Sequence, residues 1–76
     1  MKTVKVRLSS IEAVRDFVEA VRKYGSEIDL SSGRYVVDAK SIMGIFSLDL
    51  MKPITMTIHN DNCNDILDAL KAYIVE

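Results

Sequence analysis

Ile54-Thr55-Met56-Thr57-Ile58-His59 alternates apolar and polar residues without a break. Successive side chains on a strand point to opposite faces, so Ile54, Met56 and Ile58 face a core while Thr55, Thr57 and His59 face solvent. Such a strand belongs to a sheet that is covered on one face and open on the other. The rest of the chain has to supply its neighbours and its cover.

The neighbours are legible. Thr3-Val4-Lys5-Val6-Arg7-Leu8 also alternates, with Val4, Val6 and Leu8 inward. Glu27-Ile28-Asp29-Leu30 and Arg34-Tyr35-Val36-Val37-Asp38-Ala39 flank the turn residues Ser31-Ser32-Gly33 and read as a hairpin. The cover is helical. Ile11, Val14, Phe17, Val18, Val21 and Tyr24 recur at helical spacing and predict a helix over 10–24, with Ser9 and Glu12 as a capping box and Gly25 as its stop. A last helix carries Ile66, Leu67, Leu70 and Ile74 as its stripe, with Cys63 on the same side and Asn62 and Asp65 as a capping pair. The expected order is β-α-β-β-α-β-α, an α+β layered fold in one domain spanning 1–76.

Between the hairpin and Lys52-Pro53 lies Lys40-Ser41-Ile42-Met43-Gly44-Ile45-Phe46-Ser47-Leu48, which reads as a short helix capped by Ser41 and broken by the proline. At about 100° per residue, Ile42, Met43 and Phe46 share one face, and Ile45 and Leu48 lie on the other. A helix on a small domain needs one buried stripe. Either this one is buried all round, or Ile42, Met43 and Phe46 form an exposed patch for a partner. A chain of 76 residues has little volume for a fully buried helix, which favours the patch. Unfilled N–H groups at the helix start also suit a phosphate on Ser41.

Charge narrows the classes of function. Ten basic and eleven acidic residues give a net charge of −1, with no basic excess to advertise nucleic acid and no charged tail. No apolar run is long enough to span a membrane or to form a signal peptide's core, so a soluble cytoplasmic protein is expected. Cys63 is the single cysteine and His59 the single histidine, which together make neither a disulfide nor a zinc site. Cys63 reads as a small half-buried hydrophobe, and His59 as an exposed strand-end residue. No nucleophile–base pair, paired carboxylates or glycine-rich phosphate loop points to an enzyme, and no cofactor is implied.

Lys40-Ser41-Ile42-Met43-Gly44, followed by Ser47-Leu48, resembles the segment around the regulatory serine of HPr, the small phosphocarrier of the bacterial sugar phosphotransferase system. Aligned there, Tyr24 through Leu30, Tyr35 to Ala39 and Ile54 through Leu70 are similar to the family without gaps, and Phe17-Val18-Glu19-Ala20 is similar to the middle of its first helix. The resemblance implies an open-faced sandwich with an antiparallel sheet in the order 1-4-2-3 and the helices on one side. In the family, a histidine before the first helix carries phosphate in a His-Ala-Arg-Pro type motif. Here the strand ends at Leu8 and the helix is under way by Ile11, so the loop is shorter than in typical members by about three residues, and Ser9, Ser10 or Glu12 occupies the region, with no histidine and no arginine-proline pair.

A serine phosphate is too stable to act as a shuttle, whereas imidazole gives a labile phosphoryl bond. The loss of histidine with retention of serine resembles the catabolite-repression relative of HPr. The resemblance therefore implies a regulatory module. HPr kinase/phosphorylase would modify Ser41, and a transcriptional regulator would read the phosphate and the patch of Ile42, Met43 and Phe46, flanked by Lys40. Phe46 stands where methionine is usual, and Asp49-Leu50-Met51-Lys52-Pro53 replaces a glycine-containing connection. The alternative expectation is a divergent domain of the same fold whose patch serves a homodimer or an unrelated partner.

Overall fold

The structure, a computed structural model, describes residues 1–75. Glu76, the last residue of the expected 1–76 span, lies outside the described residues. The elements are β1 (Lys2–Val6), α1 (Ile11–Arg22), β2 (Ile28–Ser32), β3 (Tyr35–Asp38), α2 (Ile42–Phe46), β4 (Ile54–Ile58) and α3 (Asn64–Ala69). The strands form one antiparallel sheet in the order β1-β4-β2-β3, with the helices on one side, as the sequence led us to expect.

β4 sits inside the sheet because both of its edges are used. Met56 is in register with Val4 on one side and Leu30 on the other. Ile54, Met56 and Ile58 are fully buried, and Thr55 and Thr57 lie on the open face, where the Lys5 ammonium donates to the Thr55 hydroxyl at 2.8 Å. α1 lays Val14, Phe17, Val18 and Val21 across the covered face, all of them buried. Each side chain of that size contributes on the order of 1.5–3 kcal/mol of burial. Phe17 meets Tyr73 edge-on, with ring centroids 5.6 Å apart and an interplanar angle of 88°. Burial, and then the Asp16 carboxylate, push the Tyr73 hydroxyl pKa up, which keeps the ring neutral in this contact.

Several boundaries differ from the sequence expectation. The cap of α1 is Ser10, whose Oγ accepts the Ala13 N–H at 3.0 Å, and not Ser9. Leu8 is still buried in the core, so the chain cannot turn into the helix until two residues later. α1 ends at Arg22 with Lys23 as its C-cap, and the Tyr24 N–H closes back on Val21 at 3.1 Å. Gly25 does not take the left-handed conformation expected of a helix stop. Gly33 alone has a positive φ among the described residues, +61°. It opens the two-residue turn between Ser32 and Tyr35, where the twist of a hairpin favours that geometry.

α2 stops at Phe46, well before Pro53, and Leu48 is buried just beyond the helix. At the start of α3 the N-cap position is Cys63, with no side-chain cap. Asn62 does not cap the helix. Its N–H donates instead to the Asn60 side-chain oxygen at 2.9 Å, which commits it to the preceding loop. α3 ends at Ala69, so Ile74 is not on its stripe. Tighter bonds from Tyr73 to Leu70 and from Ile74 to Lys71 turn the chain, and Ile74 then bridges to Val6.

Candidate functional site

The hairpin delivers the chain to α2 through a tight bend. The Ser41 N–H donates to the Asp38 carbonyl at 2.9 Å, and the Lys40 N–H donates to the Asp38 carboxylate at 2.8 Å. The Arg22 guanidinium, at the end of α1, reaches across to the Lys40 carbonyl at 3.4 Å. Ser41 then caps α2, its Oγ accepting the Gly44 N–H at 3.1 Å, while its carbonyl accepts the Ile45 N–H at 3.0 Å. Arg22 and Asp38 therefore hold the backbone at Lys40, the residue before the capping serine.

Gly44 fits a close approach. A Cβ there would lie 3.1 Å from the Ser41 Oγ and 3.1 Å from the Val37 Cβ. Its absence lets α2 settle on β3 and leaves room around the serine oxygen.

The two sides of α2 separate at Ile45 and Met43, but Ile42, expected on the exposed face, packs against the core. Ile45 is fully buried and Leu48 nearly so. Ile42 is half-buried against the core, Phe46 is 40% exposed and Met43 is 80% exposed. The apolar surface extends further than sequence reasoning reached. Phe46 lines a groove of about 440 Å³ with Ile11, Leu50 and Met51, floored by Leu8 and edged by Arg7, Ser9 and Ser10. Ile11 was expected in the core stripe of α1, yet it is 66% exposed. As the first helical residue it projects past the sheet toward α2, although its spacing to Val14 matches the buried stripe. Met51, at 84% exposure, completes the same surface from the connection that follows α2.

His59 does not join this site. Val6 and Ile54 mark the end of the sheet that leads to Ser10, while Lys2 and Ile58 mark the other end. The length of β4, on the order of 15 Å, separates them. There the His59 Nε2 lies 2.7 Å from the Asp29 carboxylate, and the His59 N–H donates to the Glu27 carbonyl at 2.9 Å. Cys63 is buried. Among the described residues no three His, Cys, Asp or Glu side chains cluster as metal ligands would, and no helix is long and apolar enough to cross a membrane.

Comparison with known proteins places this geometry among relatives. Residues 10–76 match the family model described as the PTS HPr component phosphorylation site. The fold is similar to the crystal structure of HPr-C-His from Thermoanaerobacter tengcongensis, with a TM-score of 0.79 and 26% identity over 95% of this chain and 89% of that one. It is also similar to the phosphocarrier protein HPr from Bacillus anthracis str. Ames, with a TM-score of 0.68 and 32% identity over 96% of this chain and 93% of that one.

Proposed function

The chain belongs to the HPr family of the phosphotransferase system, and on that premise we propose that it is a regulatory binding module switched by phosphorylation of Ser41. The observation that carries this reading is the junction at α2: a capping serine that follows Lys40, whose carbonyl Arg22 holds, with Met43 and Phe46 exposed directly beyond it. It acts as a cytoplasmic binding protein and not as an enzyme.

The start of α1 supports the same reading by what fills it. Ser10 is occupied as a cap and Ile11 offers only hydrocarbon, so neither supplies the imidazole that a phosphoryl shuttle needs. A phosphate ester on Ser41 has the opposite virtue, since it persists until an enzyme removes it. HPr kinase/phosphorylase would transfer the γ-phosphoryl group of ATP to the Ser41 Oγ, which gives up its proton as ADP leaves. The product adds about −1.5 to −2 charge at the start of α2. An arginine of a transcriptional regulator can then pair with the phosphate while Met43 and Phe46 enter an apolar pocket. A complex that needs both contacts makes the serine a switch.

Titration of an HPr-binding transcriptional regulator with the unmodified and the Ser41-phosphorylated chain tests this. Two charge-assisted hydrogen bonds predict at least about tenfold tighter binding of the phosphorylated form. Equal affinity of the two forms would remove the switch and leave a domain whose patch serves some other partner.

A further inference from the structure

The two edges of the sheet are finished differently. Beside β1, the returning chain covers the Lys5–Arg7 end of the edge: the Arg7 N–H donates to Tyr73 at 2.8 Å and the Val75 N–H donates to Lys5 at 2.9 Å. β3 forms the other edge and, among the described residues, pairs only with β2. Tyr35 is 70% exposed and Val36 is 64% exposed on it. Exposed apolar edge strands are templates for pairing, and proteins usually blunt them with lysine, proline or a bulge. β3 has none of these devices.

We propose that β3 pairs antiparallel with β3 of a second copy of this chain, in the register that sets Val36 against Val36. Backbone direction supports it. Ser32 and Tyr35 flank the two-residue turn as a hydrogen-bonded pair, so the alternation turns the N–H and C=O of Val36 away from β2. Placed on a two-fold axis, the two Val36 residues exchange both hydrogen bonds.

Charge selects the same register. Centred on Val36, Arg34 of each copy stands opposite Asp38 of the other, twice per dimer. Neither residue forms an ion pair within its own chain among the described residues. The Lys40 N–H occupies Asp38 Oδ1 and leaves Oδ2 available. A shift to a centre at Val37 would set Arg34 against Lys40, a like-charge pair that destabilises, and Val36 against Asp38. The two four-stranded sheets would become one, with β3 meeting β3 in the middle and both sets of helices on the same side. This contact leaves Ser41 unmodified and the groove beside Phe46 uncovered, so it stands independently of the regulatory reading.

A strand pair alone buries less than the roughly 1,200 Å² of a stable interface, so the association is weak and is sought at up to about 1 mM protein. Sedimentation velocity and amide NMR over a concentration series on the unmodified chain test it. The expected result is a concentration-dependent sedimentation coefficient, with shifts centred on the Val36 amide. Arg34→Glu, which opposes like charges twice, and Val36→Lys, which does so on the axis, should each weaken association by about tenfold or more with unchanged thermal melting. A monomer at all concentrations overturns the proposal. So does a dimer that both variants leave intact, because that dimer would use another surface.

Discussion

In the Ser41-phosphorylated chain, Met43→Ala is expected to lower affinity for the transcriptional regulator about tenfold or more. Met43 is 80% exposed, so nearly all of its side chain is available to be buried by a partner. Full burial of a side chain of this size contributes about 1.5–3 kcal/mol, and each 1.4 kcal/mol is a factor of ten. The same exposure means that the isolated chain loses little, and substitutions of this kind usually change stability by less than about 0.5 kcal/mol. Affinity should therefore fall while the melting temperature stays in place. Isothermal titration and a thermal melt on one preparation check both halves. Phe46→Ala is a weaker probe, because Phe46 is only 40% exposed and its loss would also disturb the groove it shares with Ile11 and Leu50. Unchanged affinity in Met43→Ala would place the contact elsewhere.

Phe17→Ala is expected to bring the chain close to unfolding at room temperature. Phe17 is fully buried at the centre of α1 and packs edge-on against Tyr73. Truncating a buried phenylalanine costs about 3–5 kcal/mol, from lost transfer energy and the cavity left behind. A domain of this length has roughly 4–11 kcal/mol of stability in total. At about 4–8 °C per kcal/mol, the melting temperature should drop by at least about 12 °C in circular dichroism. The α1–Tyr73 contact also anchors the segment that covers the Lys5–Arg7 end of the β1 edge, so amides of Arg7 and Val75 should exchange faster in the variant. A drop of only a few degrees would mean that Phe17 is not central to the core.

The contrast between these residues explains what was readable. Periodicity fixes the face of a residue, and faces were read well: Ile54, Met56 and Ile58 inward, Thr55 and Thr57 outward, Ile45 inward and Met43 outward. It does not fix where an element ends. Leu70 and Ile74 are four apart, the spacing of a continuing helix, but the chain turns between them because Ile74 has a partner in Val6, a contact 68 positions away along the chain (74 − 6). Ile11 has the same ambiguity at the other helix. Its spacing to Val14 fits the buried stripe, and only its place ahead of the sheet exposes it. The groove beside Phe46 was hidden for that reason, since it is assembled from α1, α2 and the connection after α2, and no single stretch carries its pattern. The Ser41 cap was legible because it is a local interaction, with donor and acceptor three residues apart.

The most direct measurement is intact mass after incubation of the chain with HPr kinase and ATP, and separately with the phosphoenolpyruvate-dependent enzyme that charges HPr. Phosphorylation of Ser41 as the switch predicts a single added phosphate from the kinase alone, absent in Ser41→Ala. Phosphate from the phosphoenolpyruvate-dependent enzyme, or none from the kinase on a folded chain, would contradict it.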